Sequence, residues 1–143
     1  MSATAGQAQS EHSLADRLGI RPGQVVQEIA VDDDVDEQLR ASIAERIGGE
    51  LVDEDYGGIV DVVLLWWRSD EEDDLADALV DVMTPVEAGG IIWVLTPKAG
   101  REGHVPPTDV AEAATTAGLS QTSAISAGAD WSGTKLIVPK MGR

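Results

Sequence analysis

A continuous apolar run, IVDVVLLWW over residues 59–67, constrains the fold of this chain more than any other feature. It is interrupted only by Asp61, and it falls well short of the roughly 18 apolar residues that a membrane-spanning helix needs. A strand that is apolar on both sides must be covered on both faces, which is typical of the centre of a parallel sheet packed between helices. A similar run, GIIWVLTP over residues 90–97, predicts a second central strand.

Strand and helix patterns alternate along most of the chain. Strands are indicated by β-branched residues that are continuous or alternate with polar ones, and helices by apolar residues spaced three or four apart. The chain closes with two strand patterns that only a short turn separates, so they should pair antiparallel. In chain order, the sequence predicts strands over residues 25–31, 50–54, 59–67, 90–97, 119–127 and 133–140, and helices over 35–47, 70–88 and 107–117.

The predicted helices carry recognisable start and stop signals. Asp34 or a neighbour should cap the first helix, and Gly48-Gly49 should end it. The second helix has an acidic first turn, is interrupted near its end by Pro85 and should stop at Gly89-Gly90. The residues expected to face the core from these two helices are Val35, Leu39, Ile43 and Ile47, and Leu75, Leu79, Val82 and Val86.

This order of elements predicts the fold class. Strands that alternate with helices favour a three-layer, Rossmann-like α/β fold with a mostly parallel sheet, here ending in an antiparallel hairpin. A length of 143 residues fits one domain. We expect that domain over residues 13–143, after a disordered tail of small and polar residues over 1–12.

The net charge of −16 is unevenly distributed. Residues 1–90 contain 22 Asp and Glu against 5 Lys and Arg, whereas residues 91–143 contain 4 against 5. Such a charge repels nucleic acids and anionic membranes and attracts a basic protein partner, although selection for solubility alone would give the same pattern. The first ten residues lack the basic start and apolar stretch of a secretory signal and Cys is absent, so we expect a cytoplasmic location.

Several phrases of the sequence resemble known families. DVVLLWW, an acidic helix, PVEAGGIIWVLTPK, a helix ending in TTAGL and a hairpin are similar to the second half of the class I S-adenosylmethionine (AdoMet)-dependent methyltransferase fold. The phrases LGIRPGQVV, DVVLLWW, GGIIWVLTPK and DWSGTKLIV resemble an actinobacterial family, domain of unknown function 3052, over about residues 13–140. The resemblance implies a methyltransferase-like shape and a cytoplasmic home, and it brings no assigned activity or catalytic residue.

The turn after the first strand argues against a cofactor. A dinucleotide or AdoMet site needs glycines there, so that the backbone can approach the ligand. This chain has AVDDDVDEQ over residues 30–38, without glycine and with three consecutive Asp that would repel a pyrophosphate. We therefore expect no cofactor. Asp53 or Glu54 could still serve as a ribose-binding acid, and Gly48-Gly49 and Gly57-Gly58 keep that alternative open.

A second candidate site is the edge where the strands end, because ligands of open α/β sheets bind at the carboxyl ends of strands. Tryptophans and most of the C-terminal basic residues should gather there and could bind an acidic peptide, a carboxylate or a phosphate. Alternatively, the tryptophans fill the core and the cations are solvated loop residues. The candidate ligand- or partner-binding residues are Trp67, Arg68, Thr96, Lys98, Arg101, His104, Trp131 and Ser132.

These observations favour a non-catalytic binding or regulatory module on a degenerate Rossmann-like scaffold, with Asp32, Asp33 and Asp34 as an acidic docking face for a basic partner. Nucleic acid and membrane are not expected as partners, and a small-molecule ligand stays open. The alternative is an AdoMet- or nucleotide-using enzyme with an atypical site. A third hypothesis, metal binding by the aspartates at 70, 73, 74 and 77, lacks the spacing of a calcium loop, so no metal site is predicted.

Overall fold

A computed structural model describes residues 15–71 and 73–139. Residues 15–17 are helical and are followed by a turn at Gly19, whose φ is 74°. Strands and helices then alternate as far as a final pair of strands. Their bounds are β1 Val26–Ile29, α1 Glu37–Ile47, β2 Val60–Trp66, α2 Leu75–Met83, β3 Val86–Pro97, α3 Pro107–Ala117, β4 Ser120–Ser126 and β5 Trp131–Ile137.

The strands form one five-stranded sheet in the order β1-β2-β3-β5-β4. β1 pairs with β2 and β2 with β3 in parallel, and β5 pairs antiparallel with both β3 and β4. β2 lies at the centre of the parallel part, and its seven residues include six that are buried. This confirms the prediction of a mostly parallel, doubly covered sheet that ends in an antiparallel hairpin.

The two faces of the sheet carry two separate apolar cores. We call the first the α1 face: it buries Leu39 and Ile43 of α1 against Trp66, Trp93 and Trp131 of the sheet. We call the second the α2 face: it buries α2 and α3, for example Leu79 and Val110, against Val63 and Ile92. Successive strand residues point to opposite faces, so Trp66 belongs to the α1 face and Trp67 to the α2 face.

The ends of α1 follow the sequence closely. Asp36 caps the helix, because its side chain accepts a hydrogen bond from the Leu39 N–H at 2.9 Å. Gly48 ends it in the left-handed conformation, with φ at 79° and its N–H bonded to the Ala44 carbonyl. The helix is therefore shorter by two residues than predicted, and its cap is a neighbour of Asp34. The predicted core residues Val35, Leu39, Ile43 and Ile47 are all buried.

Two predicted elements differ from the structure: the strand over residues 50–54 is wrong, and the helix over 70–88 is confirmed but is shorter at both ends, Leu75–Met83. Residues 50–54 form only an isolated parallel bridge between Val52 and Gln27, because they offer just two apolar residues among carboxylates that point to solvent. α2 stops at Met83 and not at Gly89-Gly90, since proline at 85 cannot donate to the helix ladder. The chain instead enters β3 at Val86, which is buried as predicted but pairs with Val60 as a strand residue.

Two further predictions concern the ends of the chain. The last strand starts at Trp131, two residues earlier than predicted, and ends at Ile137. The tail over residues 1–12, the start of the predicted domain at 13 and Lys140 lie outside the described residues.

Candidate functional site

The course of the chain defines a crevice at the carboxyl ends of β1 and β2. After β1 and α1 the chain runs beside β1 at Val52, whose N–H and carbonyl bond to Val26 and Glu28 at 2.9 Å each. It then crosses to the other side of β1 and forms β2. Such a reversal of direction is the topological switch point, where open α/β sheets place their ligands. The residues that follow β1 and β2 therefore decide what this fold can bind there.

Arg68, two residues after the end of β2, lies in that crevice and is only 8% exposed. Its guanidinium donates to both carboxylate oxygens of Asp34, with distances of 3.0 Å from Nε and 2.5 Å from Nη2. Its Nη1 donates to the carbonyl oxygens of Ala30 and Trp66, both at 2.9 Å, and lies 3.3 Å from Glu71. The ends of β1 and β2 are thus tied together by one side chain of the protein itself.

This ion pair shifts both partners toward their charged forms. The hydrogen bonds from Arg68 lower the pKa of Asp34 below its usual range, against an opposing effect of burial. The same contact raises the pKa of Arg68, and Glu71 adds to that effect. Asp34 remains about half exposed, so solvent screens part of the attraction.

Trp131 covers the other side of the guanidinium. The Arg68 Cζ lies 5.4 Å from the centre of the Trp131 ring, a distance typical of a cation–π contact. The indole N–H of Trp131 donates to the Asp34 carbonyl at 3.2 Å. The ring also meets Trp66 edge-on, with centroids 4.9 Å apart. The α1 side of the crevice is therefore filled by packed side chains, with Trp131 only 3% exposed. A shallow opening of about 440 Å³ remains over Asp34, Arg68 and Glu71.

The turn after β1 has an unusual backbone for its residue. Ala30 has a φ of 63°, the left-handed region that favours glycine. Its N–H donates to the Glu54 carboxylate at 2.9 Å, and its carbonyl accepts from Arg68. The chain thus makes the sharp turn that a glycine would make, although the sequence has none there, and both polar groups of the turn are bonded within the protein.

Some of the predicted edge residues come together, but around contacts of their own. Thr96 and Ser132 face each other across β3 and β5, and Pro97 pairs with Trp131. The loop after β3 folds back, with a His104 ring nitrogen 2.9 Å from the Pro97 carbonyl. Thr96, Arg68 and Trp131 are buried, so the tryptophan and the arginine contribute to the interior and not to an exposed surface. Besides Thr96, Arg68 and Trp131, the predicted edge set contains Trp67, Lys98, Arg101, His104 and Ser132.

Those remaining residues divide between two surfaces. Arg101 pairs with Asp130 at 3.1 Å, with both side chains about half exposed. Lys98 is half-buried beside it, and its N–H bonds to the Asp130 carbonyl. Trp67 points to the opposite face of the sheet. The sheet therefore separates the Trp67 ring from Trp131 and Ser132, although Trp67 packs in the same cluster as Val105 of the loop after β3.

The predicted acidic face is also divided. Asp32 and Asp33 are exposed, whereas the carboxylate of Asp34 is bound to Arg68. Sequence reasoning did not pair these two residues, since 34 positions separate them. It also missed Glu28, a buried acid on β1 whose two oxygens bind Arg40 at 2.7 and 2.8 Å. Arg40 lies one turn into α1, and no local pattern in the sequence indicates that Glu28 is its partner.

On the α2 face, an open groove of about 870 Å³ lies between β1, β2 and α2. Ile29, Leu65 and Trp67 form its floor, and Val82 of α2 forms part of one wall. The loop with Tyr56, Gly57 and Gly58 forms the opposite wall. The described carboxylates that line it are Glu54, Glu71, Asp73, Asp77 and Asp81, and none of its described lining residues is basic.

Comparison with known proteins identifies the family of this chain. Residues 15–140 match the family described as protein of unknown function (DUF3052). The chain belongs to DUF3052. Uncharacterized proteins from Mycobacterium tuberculosis and Mycobacterium bovis are 50% identical to it over 128 residues, which cover 90% of this chain and 80% of each relative. The resemblance expected from the sequence is confirmed.

Several solved structures similar to this DUF3052 chain are methyltransferases. An AdoMet-dependent methyltransferase from Aquifex aeolicus superposes with a TM-score of 0.55 at 13% identity, covering 90% of this chain and 89% of that one. An O-methyltransferase family protein from Burkholderia thailandensis gives 0.63 at 13%, covering 98% and 57%. Magnesium protoporphyrin IX methyltransferase from Synechocystis, solved with bound AdoMet, gives 0.56 at 12%, covering 94% and 80%. At these identities the similarity establishes the methyltransferase-like fold alone.

Two further findings concern the described part of this DUF3052 chain. Residues 15–71 and 73–139 include no helix long and apolar enough to cross a membrane. Within the same residues, no three His, Asp or Glu side chains are grouped so that they could hold a metal ion.

Proposed function

We propose that this protein is a non-catalytic binding module that keeps the methyltransferase-like fold and has filled, with Arg68 and Trp131, the α1 side of the crevice in which such folds bind ligands. The observation that carries the proposal is the position of Arg68. Its guanidinium is bonded to groups that follow both β1 and β2, and it occupies the switch point between them.

A ligand on the α1 side of the switch point would have to displace these contacts. Arg68 and Trp131 are almost fully buried, and the donors of Arg68 are bound to a carboxylate and two carbonyls. Separating a buried charge from its partner costs about 3–5 kcal/mol, and less where one partner is half exposed, as Asp34 is. A phosphate would in addition meet the exposed carboxylates of Asp32 and Asp33. These obstacles favour a module that acts by binding elsewhere on its surface.

A basic protein is the partner class that the charge favours. The acidic excess lies within residues 1–90, whereas residues 91–143 are nearly balanced. A field of one sign steers partners of the opposite sign and raises their rate of association.

Titration calorimetry with AdoMet, NAD and ATP tests the absence of a cofactor. We expect no heat of binding and no change in melting temperature at ligand concentrations of about 1 mM. A ligand present at 100 times its dissociation constant would raise the free energy of unfolding by about 2.7 kcal/mol, which is easily measured. Saturable binding of any of the three would contradict the proposal.

An AdoMet-using enzyme is the second candidate. It is favoured by the methyltransferase neighbours and by Glu54, which lies beside the turn after β1 where a ribose-binding acid would be needed. The Glu54→Gln variant decides between the two. If the wild type binds AdoMet and this variant does not, the enzyme is the better account. If neither binds, the carboxylate serves the turn at Ala30 alone.

A further inference from the structure

We propose that the groove on the α2 face binds an extended, lysine- or arginine-bearing segment of a partner protein. This inference rests on the proposed function and adds to it the place and the chemistry of the interaction. It concerns the α2 side of the carboxyl ends of β1 and β2, next to the Arg68 cluster, with which the groove shares Glu71.

The groove is a part of the sheet that the described helices leave uncovered. α2 packs over β2 and β3, and Ile29 at the end of β1 is only partly buried. Trp67 and Leu65 lie beneath the opening, and the Tyr56 ring folds back over Gly58 at its rim. A volume of about 870 Å³ is within the range of known binding sites, which is about 300–1,000 Å³.

The residues that line the groove favour a ligand with a cationic end and an apolar stem. Five described carboxylates surround a floor of Ile, Leu and Trp, without a basic side chain among the described lining. Lys and Arg side chains combine a terminal charge with an aliphatic stem that packs on apolar surface. Tyr56, which is 38% exposed, offers an aromatic face on which such a cation can pack.

The spacing of the acids fits an extended peptide. Asp77 and Asp81 are four residues apart on α2, so they are separated by about 6 Å along the helix axis. Alternate side chains of an extended chain repeat at about 6.8 Å on one face. Basic residues at every second position of a partner segment would therefore meet successive carboxylates of α2.

The groove is a better docking surface than the acidic run after β1. Asp34 of that run is bonded to Arg68, which leaves two exposed carboxylates on a turn without an apolar floor. Asp77 and Asp81 are exposed, and the hydrogen bonds of their backbones are made within the helix and its ends. The two surfaces can be tested against each other, since each offers two exposed aspartates that can be neutralised.

The probe is a capped peptide of alternating residues, Lys-Ala-Lys-Ala-Lys, titrated into the full chain at low and at physiological salt. We expect Asp77→Asn/Asp81→Asn to weaken binding about tenfold, because exposed ion pairs contribute up to about 1 kcal/mol each. The matched control, Asp32→Asn/Asp33→Asn, removes the same charge and should change the affinity less than about twofold. Amide shifts in NMR spectra should move at residues 56–58 and along α2. Thermal unfolding checks that both variants are folded.

Other outcomes overturn the inference in distinct ways. Equal weakening by both double variants would mean that only the net charge attracts the peptide. Spermidine that binds as tightly as the peptide, with the same loss in Asp77→Asn/Asp81→Asn, would assign the groove to small polyamines and not to a protein segment. The AdoMet titration is a separate readout: cofactor binding contradicts the proposed function, whereas an unchanged peptide affinity in Asp77→Asn/Asp81→Asn contradicts only the groove.

Discussion

The two faces of the sheet are built on different principles. On the α1 face, large side chains are held by polar contacts: the indole N–H of Trp93 donates to the Leu18 carbonyl at 2.8 Å, and that of Trp131 to the Asp34 carbonyl. On the α2 face, the core is made mainly of aliphatic residues and alanines from β2, β3, α2 and α3. The first face therefore adds hydrogen bonds and ion pairs to its aliphatic packing, whereas the second depends mainly on packing.

This difference accounts for the place where each face can bind. Directional contacts on the α1 face have fixed partners, so Arg68 and Trp131 fill that side of the crevice. Packing on the α2 face ends where the helices end, which leaves the groove beside α2 open. The larger of the two openings at the switch point therefore lies on its α2 side, where Ile29, Ala30 and Trp67 line it.

Leu79→Ala should give the largest effect and should act through packing alone. Leu79 is fully buried on the α2 face, so its truncation leaves a cavity and lowers the free energy of unfolding by about 3 kcal/mol. Urea unfolding at pH 5 and pH 8 should give the same loss. The neighbouring Val80→Ala, at a side chain 49% exposed, should change stability by less than about 0.5 kcal/mol. A loss that depends on pH would contradict the view of this face as a packed one.

Glu28→Ala tests the polar design of the α1 face. It removes the buried acceptor of Arg40 and of the Trp66 indole N–H, which lies 3.4 Å away, and should lower the free energy of unfolding by about 2 kcal/mol. The control is Glu37→Ala, which removes an exposed partner of the same arginine and should cost less than about 0.5 kcal/mol. Equal losses in chemical denaturation would show that burial of Glu28 contributes nothing.

Asp34→Asn should give the smallest effect, about 1 kcal/mol at pH 7, because solvent screens its ion pair with Arg68. The fold lowers the pKa of Asp34 relative to the unfolded chain. Its contribution to stability is therefore complete above the ordinary aspartate pKa of about 3.9 and is lost as the pH falls through the lower pKa of the folded state. Wild type and variant should thus converge in unfolding experiments below about pH 4.

Asp33→Asn provides the baseline for that series. Asp33 is exposed and close in sequence, and its carboxylate is not bonded to Arg68. The free energy of unfolding of the Asp33→Asn variant should equal that of the wild type at every pH. A difference between wild type and Asp34→Asn that persists unchanged in acid would mean that the asparagine disturbs packing and not an ion pair.

The sequence predicts the parts of this fold that depend on local patterns. The central strands, the core residues of α1 and the final hairpin follow from periodicity and short turns, and they are confirmed. The end of α2 was misplaced because the apolar pattern runs on through Val86, although Pro85 had already stopped the helix. Residues 50–54 have a strand pattern but too few apolar contacts to form one.

The site depends on contacts that no local pattern encodes. Arg68 was placed correctly at the end of a strand, but its partner lies 34 residues earlier, and only the parallel pairing of β1 and β2 brings them together. The groove is still harder to predict, since it forms where the helices leave part of the sheet uncovered. One signal was present: Asp77 and Asp81 are four residues apart, which places them along one side of α2, and Asp73 precedes that helix by the same spacing.

The distribution of aromatic residues gives this chain a built-in optical probe. Phe is absent, and of the four tryptophans Trp66, Trp93 and Trp131 lie in the α1-face core, whereas Trp67 lies beneath the groove together with the single tyrosine, Tyr56, at its rim. Tryptophan absorbs at every wavelength that excites Tyr56, so a comparison of the wild type with a Trp67→Phe variant isolates the emission that comes from beneath the groove. Ultraviolet emission can thus report separately on the integrity of one face and on events at the other.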